Sequence, residues 1–501
     1  MRCLFLVFLL TISDVSLLSN SIIAVNPNKG FSMKMIPIHS KESPLYIGDH
    51  LTRVEKLQRL VEQSKAHAVY IESQILFQRN GTRSMSPNDV RMPAIYEPSG
   101  FYVAKVGLGT FSGRWKPFID HYLIIDTGSA QTWLQCEGAI KIFKQDMPLY
   151  PWNLSATYRP IPCNSHHICM GDKCNADGQC AYSVTYGSGS TSSGIVATEK
   201  FTLGSDTGGL KNIELQMGCG FFQENFEKFI GNNHLHGKPD LITGILGLGS
   251  GQWSFINQLG AAGQGKFSYC FEAINGKLEG STTYLRFGED AKIGGTFQKV
   301  HITPIVVTSF PSNLYYLNLE DISVGNKRIG FPRDTFKVSD QRKGGVVIDS
   351  GTLMSIMRKD YFDIVAELVK EHFNRLGIEY IGSQLGFDVC FRLRGRFDSS
   401  NYPSITLHFQ QADYVIQDYK ANFMMLTVEI VCFGILEEIK TSGPAFILGA
   451  NQQANKRGDS ENELIVLQAF FFTVALLVIY DCTGAEIPAL SNSCIRGSSA
   501  Q

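Results

Sequence analysis

The chain has 501 residues, 44% of them hydrophobic and 18% charged, so it can bury large cores and is long enough to split into at least two domains. Its formal net charge of -1 argues against nucleic acid as the main partner. No low-complexity block or long run of like charge suggests a solvating tail.

The chain opens with "MRCLFLVFLLTISDVSLLSNSIIAVNP". One early Arg, an apolar core from Leu4 to Ile12 and small or apolar residues near Ala24 read as a secretory signal over 1-24. The competing reading is a signal anchor, but the apolar run is shorter than the roughly 20 residues a span requires. No stable membrane span is therefore expected. Residues 25-90 then differ from everything after them. They hold no cysteine and include "TRVEKLQRLVEQSKAHAVYIESQ", in which Leu51, Val54, Leu57, Leu60 and Val61 recur at helical spacing. A basic amphipathic helix ahead of a folded body reads as a propeptide; the alternative is a solvated N-terminal helix of the mature protein.

From Phe101 onward the signals are short β-branched and aromatic runs broken by glycine, such as "FYVAKVGLG", "HYLIID", "GIVATEKFTL" and "GGVVIDSG". That is an all-β reading, with glycines at the turns. Few helices are expected. The clearest is "RKDYFDIVAELVKEHFNRL", Arg358 to Leu376.

Cys3 leaves with the leader, and the other eleven cysteines lie between Cys136 and Cys494. In a secreted chain they read as a disulfide framework with one thiol left over. Four of them, Cys163, Cys169, Cys174 and Cys180, crowd into one stretch with His166 and His167. Zinc is the competing reading there, but no CxxC pair occurs and secretion favours oxidation, so no metal is expected. Sequons at Asn80 and Asn153 are candidate glycosylation sites.

The chemistry centres on "LIIDTGSAQTW", Leu123 to Trp133. Asp126 follows an apolar run, where an uncompensated charge would be costly to bury. A second carboxylate sharing the proton would answer that cost. "GGVVIDSGTLM", Gly344 to Met354, supplies Asp349 in the same setting. "YVAKVGLG" precedes the first site and "YYLNLEDISVG" the second, while "GILGLG" and "FILGA" trail them at comparable separations. Two homologous lobes related by an approximate twofold would bring the aspartates together.

One Asp-Thr/Ser-Gly-Ser/Thr motif is weak, but two in matching surroundings are specific. Over about Tyr102 to Cys494 the sequence resembles the pepsin-like aspartic proteases. The cysteine-rich insert 136-180, "FSYC" at Phe267 to Cys270 and "GFSMKMIPIHSKESPLY" look like the plant nepenthesin-type branch. The resemblance implies an all-β, bilobal pepsin-like fold with lobes over 91-303 and 304-501. It also implies a monomer acting on protein or peptide substrates with no cofactor. Asp126 and Asp349 would be the catalytic pair. Two carboxylates about 3 Å apart share one proton, so that one activates water while the other donates to the peptide carbonyl. By the same resemblance, Gly128 and Gly351 let backbone amides approach the carboxylates. Ser129 and Thr352 bond their outer oxygens, and Thr127 and Ser350 bond across the lobe junction. "YSVTYGSGSTSSG" looks like the flap, with Tyr186 at its tip, Gly187 beside it and Trp133 as the tyrosine's partner.

Departures from the family pattern are specific. Between "GANQQAN" and "VIYD" lies an extra segment, about 456-477, containing the apolar run Leu464 to Ile479. Three readings compete: a surface loop, a membrane span, and a retained intron or gene-model error, for which "FFFTV" would encode a pyrimidine-rich acceptor tract. "EGAIKIFKQDMP" lacks the cysteines the branch carries there. Cys482 is the candidate unpaired thiol, and Cys390 with Cys432 a plausible bridge. The resemblance implies a secreted or vacuolar acid endopeptidase made as a zymogen; the alternatives are an inactive binding or inhibitor-like protein and a mis-spliced product.

Overall fold

The repeat in the sequence is also a repeat in the chain's path. The computed structural model describes strand 31-36, helical positions 57, 58, 61, 64, 65, 68 and 71, residues 102-453 with gaps that include 187-189, 205-209, 270-283 and 292-298, and strands 463-468 and 476-479. Within these bounds the molecule is a bilobal all-β protein.

In the first lobe, strand Ile119–Asp126 runs parallel to Ile242–Gly247, with Asp126 opposite Gly247. A third short strand, Trp133–Gln135, lies antiparallel to Ile242–Gly247. The second lobe repeats the arrangement. Val346–Ile348 runs parallel to Phe446–Leu448, and Ile356–Arg358 lies antiparallel to that strand. Parallel strands covered on both faces need unbroken apolar runs, which is why "GILG" and "FIL" are buried throughout. Each aspartate thus comes at the end of a buried strand pair, where the chain must turn.

The helix expected from Arg358 to Leu376 spans Lys359–Arg375, with the two end residues as its caps. Phe362, Val365, Ala366, Val369 and Phe373 form its buried stripe, spaced every three to four residues as a one-sided helix requires. Asp360 in the first turn and His372 and Arg375 in the last oppose the helix dipole's end charges.

Four disulfides occur among the described residues: Cys136–Cys219, Cys163–Cys174, Cys169–Cys180 and Cys390–Cys432. Cys390 and Cys432 face each other across antiparallel strands. The crowded cysteines therefore pair with one another, and no metal-holding group of His, Cys, Asp and Glu is found among the described residues. "EGAIKIFKQDMP" is fastened by other means. The Gln135 amide donates to the Phe143 carbonyl at 3.1 Å and accepts from the Phe143 N–H at 2.9 Å, directly beside the Cys136–Cys219 bridge. Asn153 is exposed on a short 3-10 turn, Trp152–Leu154. Residues 1-24, Asn80, His166, His167 and Cys482 lie outside the described residues.

The extra C-terminal segment is not all loop. Residues Glu463–Gln468 form a strand parallel to Lys299–Val306 and antiparallel to Leu476–Ile479. The latter strand runs parallel to Lys266–Tyr269. Part of the apolar run therefore has backbone partners in the sheet, which a solvated loop would lack. No helix among the described residues is long and apolar enough to cross a membrane.

The described residues of the 25-90 segment touch the body through a strand and a helical stripe. Phe31–Ile36 adds as an antiparallel strand to Tyr284–Phe287 and to the start of Val103–Leu108. The helical positions bury Leu57, Val61, Ser64, Ala68 and Ile71, a single stripe at helical spacing.

Candidate active site

Asp126 and Asp349 are both buried, and matching sets of donors hold them. The Gly128 N–H donates to Asp126 Oδ1 at 2.9 Å and the Ser129 hydroxyl to Oδ2 at 2.5 Å. In the other lobe the Gly351 N–H donates to Asp349 Oδ1 at 3.0 Å and the Thr352 hydroxyl to Oδ2 at 2.7 Å. The lobes are then stitched together reciprocally. The Thr127 N–H donates to Ser350 Oγ at 3.0 Å, and the Ser350 N–H donates to Thr127 Oγ1 at 2.8 Å. The Thr127 hydroxyl also donates to Asp349 Oδ1 at 3.4 Å, so bonds within and between the lobes fix both turns and pre-organise the pair.

Gly128 explains how closely the groups approach. A Cβ there would lie 2.9 Å from Asp349 Oδ1 and 3.2 Å from Asp126 Oδ1. Any side chain would press on both carboxyls, so only glycine fits at this position.

Trp133 is fully buried, and its indole N–H donates to the Tyr186 hydroxyl at 2.6 Å. Tyr186 follows strand Ala181–Thr185, which forms a hairpin with Thr191–Gly204; Gly187 lies outside the described residues. Burial pushes the Tyr186 phenol well above its ordinary pKa, so it stays a neutral hydroxyl at acid and neutral pH. Phe226 packs against both rings, at 5.2 Å from Trp133 and 5.7 Å from Tyr186, and Phe143 packs against Phe226 at 5.5 Å. Replacing Tyr186 by Phe removes the hydroxyl but keeps the packing. The expected result is a loss of about tenfold in kcat/KM, the cost of about one hydrogen bond in the closed state, with an unchanged melting temperature. Equal activity in the variant would assign the hydroxyl no part in closure.

Sequence reasoning missed several supports. Gln453 donates to the Asp349 carbonyl at 3.2 Å and to the Leu448 carbonyl at 2.8 Å, and accepts from the Tyr269 hydroxyl at 2.5 Å. Phe143 and Phe226 carry no motif. The occupant of the site was also missed. Ile71 is fully buried, and its Cδ1 lies 2.8 Å from where a Gly128 Cβ would stand. The Met354 N–H, just past the second turn, donates to Ser64 Oγ at 2.6 Å. The only sequence signal for these contacts was the helical stripe itself.

Two mirrored strand–turn units, each ending in a buried aspartate and meeting across a lobe junction, define a pepsin-like bilobal protein. The sequence matches the family profile described as "Xylanase inhibitor N-terminal" over residues 102-289 and the one described as "Xylanase inhibitor C-terminal" over 314-458. It is 30% identical over 395 residues to "Aspartyl protease family protein 2" of Arabidopsis thaliana, covering 76% of this chain and 73% of the relative. It is 29% identical over 364 residues to "Aspartic proteinase nepenthesin-2" of Nepenthes gracilis, covering 72% and 74%. The chain belongs to the plant nepenthesin-type branch of the aspartic protease family. Among solved structures, "edgp" matches with a TM-score of 0.55 and soybean "Basic 7S globulin" with 0.52. Each is 17% identical over 71% of this chain, covering 88% and 89% of the matched chains. At that identity the likeness supports the fold alone.

Proposed function

We propose that the protein is an acid-active aspartic endopeptidase, made as a zymogen and routed through the secretory pathway to the cell exterior or the vacuole. The observation that carries this reading is Gly128 itself: a Cβ there would lie 2.9 Å from Asp349 Oδ1 and 3.2 Å from Asp126 Oδ1, and the outer oxygens of both buried carboxylates are already bonded. Carboxyls held this close share a proton. The ionised one takes a proton from water as the water oxygen bonds to the peptide carbon. The other gives its proton to the carbonyl oxygen. The carboxyl that took the water's proton passes it to the amide nitrogen, a hydroxyl of the tetrahedral diol gives its proton to the other carboxylate as the C–N bond breaks, and the pair is left with one shared proton.

The zymogen reading rests on Ile71, which covers the space between the carboxylates, and on the basic character of the 25-90 segment. Strand addition is the expected mode for an extended substrate once that segment has left. The protein is expected to act as a monomer.

A second reading, an inactive inhibitor-like binding protein, is favoured by the xylanase inhibitor description of the matching profiles. Against it, both aspartates, both glycines and the flap tyrosine are retained. The deciding experiment is cleavage of a denatured protein by the full-length chain from about pH 2.5 to 7, with and without a statine-type inhibitor. Acid-limited cleavage abolished by the inhibitor supports the protease; silence across the range with a folded protein supports the binding reading.

A further inference from the structure

The stretch that covers the carboxylates also reaches a second polar feature. Lys65 is one residue from Ser64, and its ammonium lies 3.2 Å from the Gly386 carbonyl and 3.4 Å from Asp388 Oδ1. Val61 completes the contact: a Cβ on Gly386 would lie 3.1 Å from Val61 Cγ1. Gly386 and Leu385 both have positive φ and form the turn between strands Glu379–Gln384 and Phe387–Arg392. That turn aims a carbonyl and a carboxylate at the same cation.

Asp388 is a poor candidate for an ordinary surface acid. Burial pushes its carboxyl up from the usual range, against the pull of the Glu437 N–H and of Lys65. The Glu437 N–H donates to its other oxygen at 2.8 Å. The Glu437 carboxylate also faces it, but that charge is paired with Lys359 at 3.0 Å. Among the described residues, Lys65 is the cation that meets Asp388, and it comes from the segment the zymogen reading removes.

We propose that Asp388 and the Gly386 carbonyl form a subsite of the cleft for a lysine or arginine side chain, held here by Lys65 and taken by a basic residue of the substrate after residues 57-71 have left. This inference rests on the endopeptidase reading above. At the helical rise of about 1.5 Å per residue, Lys65 stands about 9 Å along the segment from Ile71, which covers the carboxylates. An extended substrate rises about 3.3 Å per residue. The basic residue therefore sits about three positions from the residue nearest the cut. A half-buried carboxylate binds an ammonium or guanidinium better than a neutral side chain, because only the cation offsets its desolvation.

The test is a peptide series cleaved by the acid-activated full-length protein, varying Lys, Arg, Gln and Glu at each position on either side of the cut. The expected result is a preference of about tenfold in kcat/KM for Lys or Arg over Gln at a single position about three residues away, expressed mainly in KM. In Asp388→Asn that preference falls to about onefold, while Asn still accepts from the Glu437 N–H and keeps the turn in place. A flat profile in the parent, or a preference that survives Asp388→Asn, overturns the subsite and leaves the protease reading intact. Failure to cut any peptide sinks the protease reading instead. The seat is then judged by hydrogen exchange on the intact chain. Lys65→Gln and Asp388→Asn should each lower protection of the 57-71 segment several-fold, with no further loss when combined; unchanged protection overturns the proposal.

Discussion

Asp349→Asn and Asp126→Asn should each abolish peptide hydrolysis, lowering kcat by on the order of 10⁴-fold while leaving the fold intact. Asn at 349 still accepts from the Gly351 N–H, and the Thr352 hydroxyl can turn to accept from its amide, so the turn keeps its bonds. The lobe-joining bonds between Thr127 and Ser350 do not involve either carboxylate's outer oxygen and should survive unchanged. What is lost is the proton shared by the pair. The double variant should be little worse than either single one, since groups acting as a unit are not additive. Measuring single-turnover cleavage beside a thermal melt separates chemistry from folding. Residual activity within tenfold of the parent in a folded variant would remove the aspartates from the mechanism.

A second large effect is expected far from the carboxylates. His121 lies in the Ile119–Asp126 strand, fully buried, and among the described residues neither ring nitrogen has a hydrogen-bond partner. Its ring meets the edge of Tyr150 at 5.7 Å. Burial lowers its pKa to about 4, with Asp120 pulling only weakly the other way. The folded protein therefore binds fewer protons here than the unfolded chain does. Stability is fully present above about pH 6.5 and is lost progressively as pH falls toward 4, by about 3 kcal/mol at full protonation. His121→Phe removes that proton-linked loss. The variant should show a flatter dependence of the urea midpoint on pH between 7 and 3.5, and relatively greater resistance in acid. An identical pH slope in parent and variant would show that other groups drive acid unfolding.

Much of this was legible without coordinates. The two Asp motifs, their apolar lead-in runs and the trailing glycine strands carried the twofold repeat, because a parallel strand buried on both faces has to be written as an unbroken apolar run. The long helix was equally clear, read from Arg358 to Leu376 and found over Lys359–Arg375. The segment after Asn455 was harder. Its apolar run offered loop, span and intron readings, and the pairing of 463-468 with Lys299–Val306 depends on a partner far away in the chain. Strand pairing is non-local, so composition alone does not reveal it.

The sequence by itself determined the residue types at the candidate site: carboxylates, hydroxyls and glycines in two matching turns, with Tyr186 and Trp133 singled out as a pair. Tertiary structure alone decided what stands where. Gln453, Phe143 and Phe226 support the site from remote positions, Ile71 fills the space at Gly128, and Lys65 meets Asp388. Each of these is a contact between segments that only folding brings together. Its strength comes from burial and distance, which a linear order of residues does not encode.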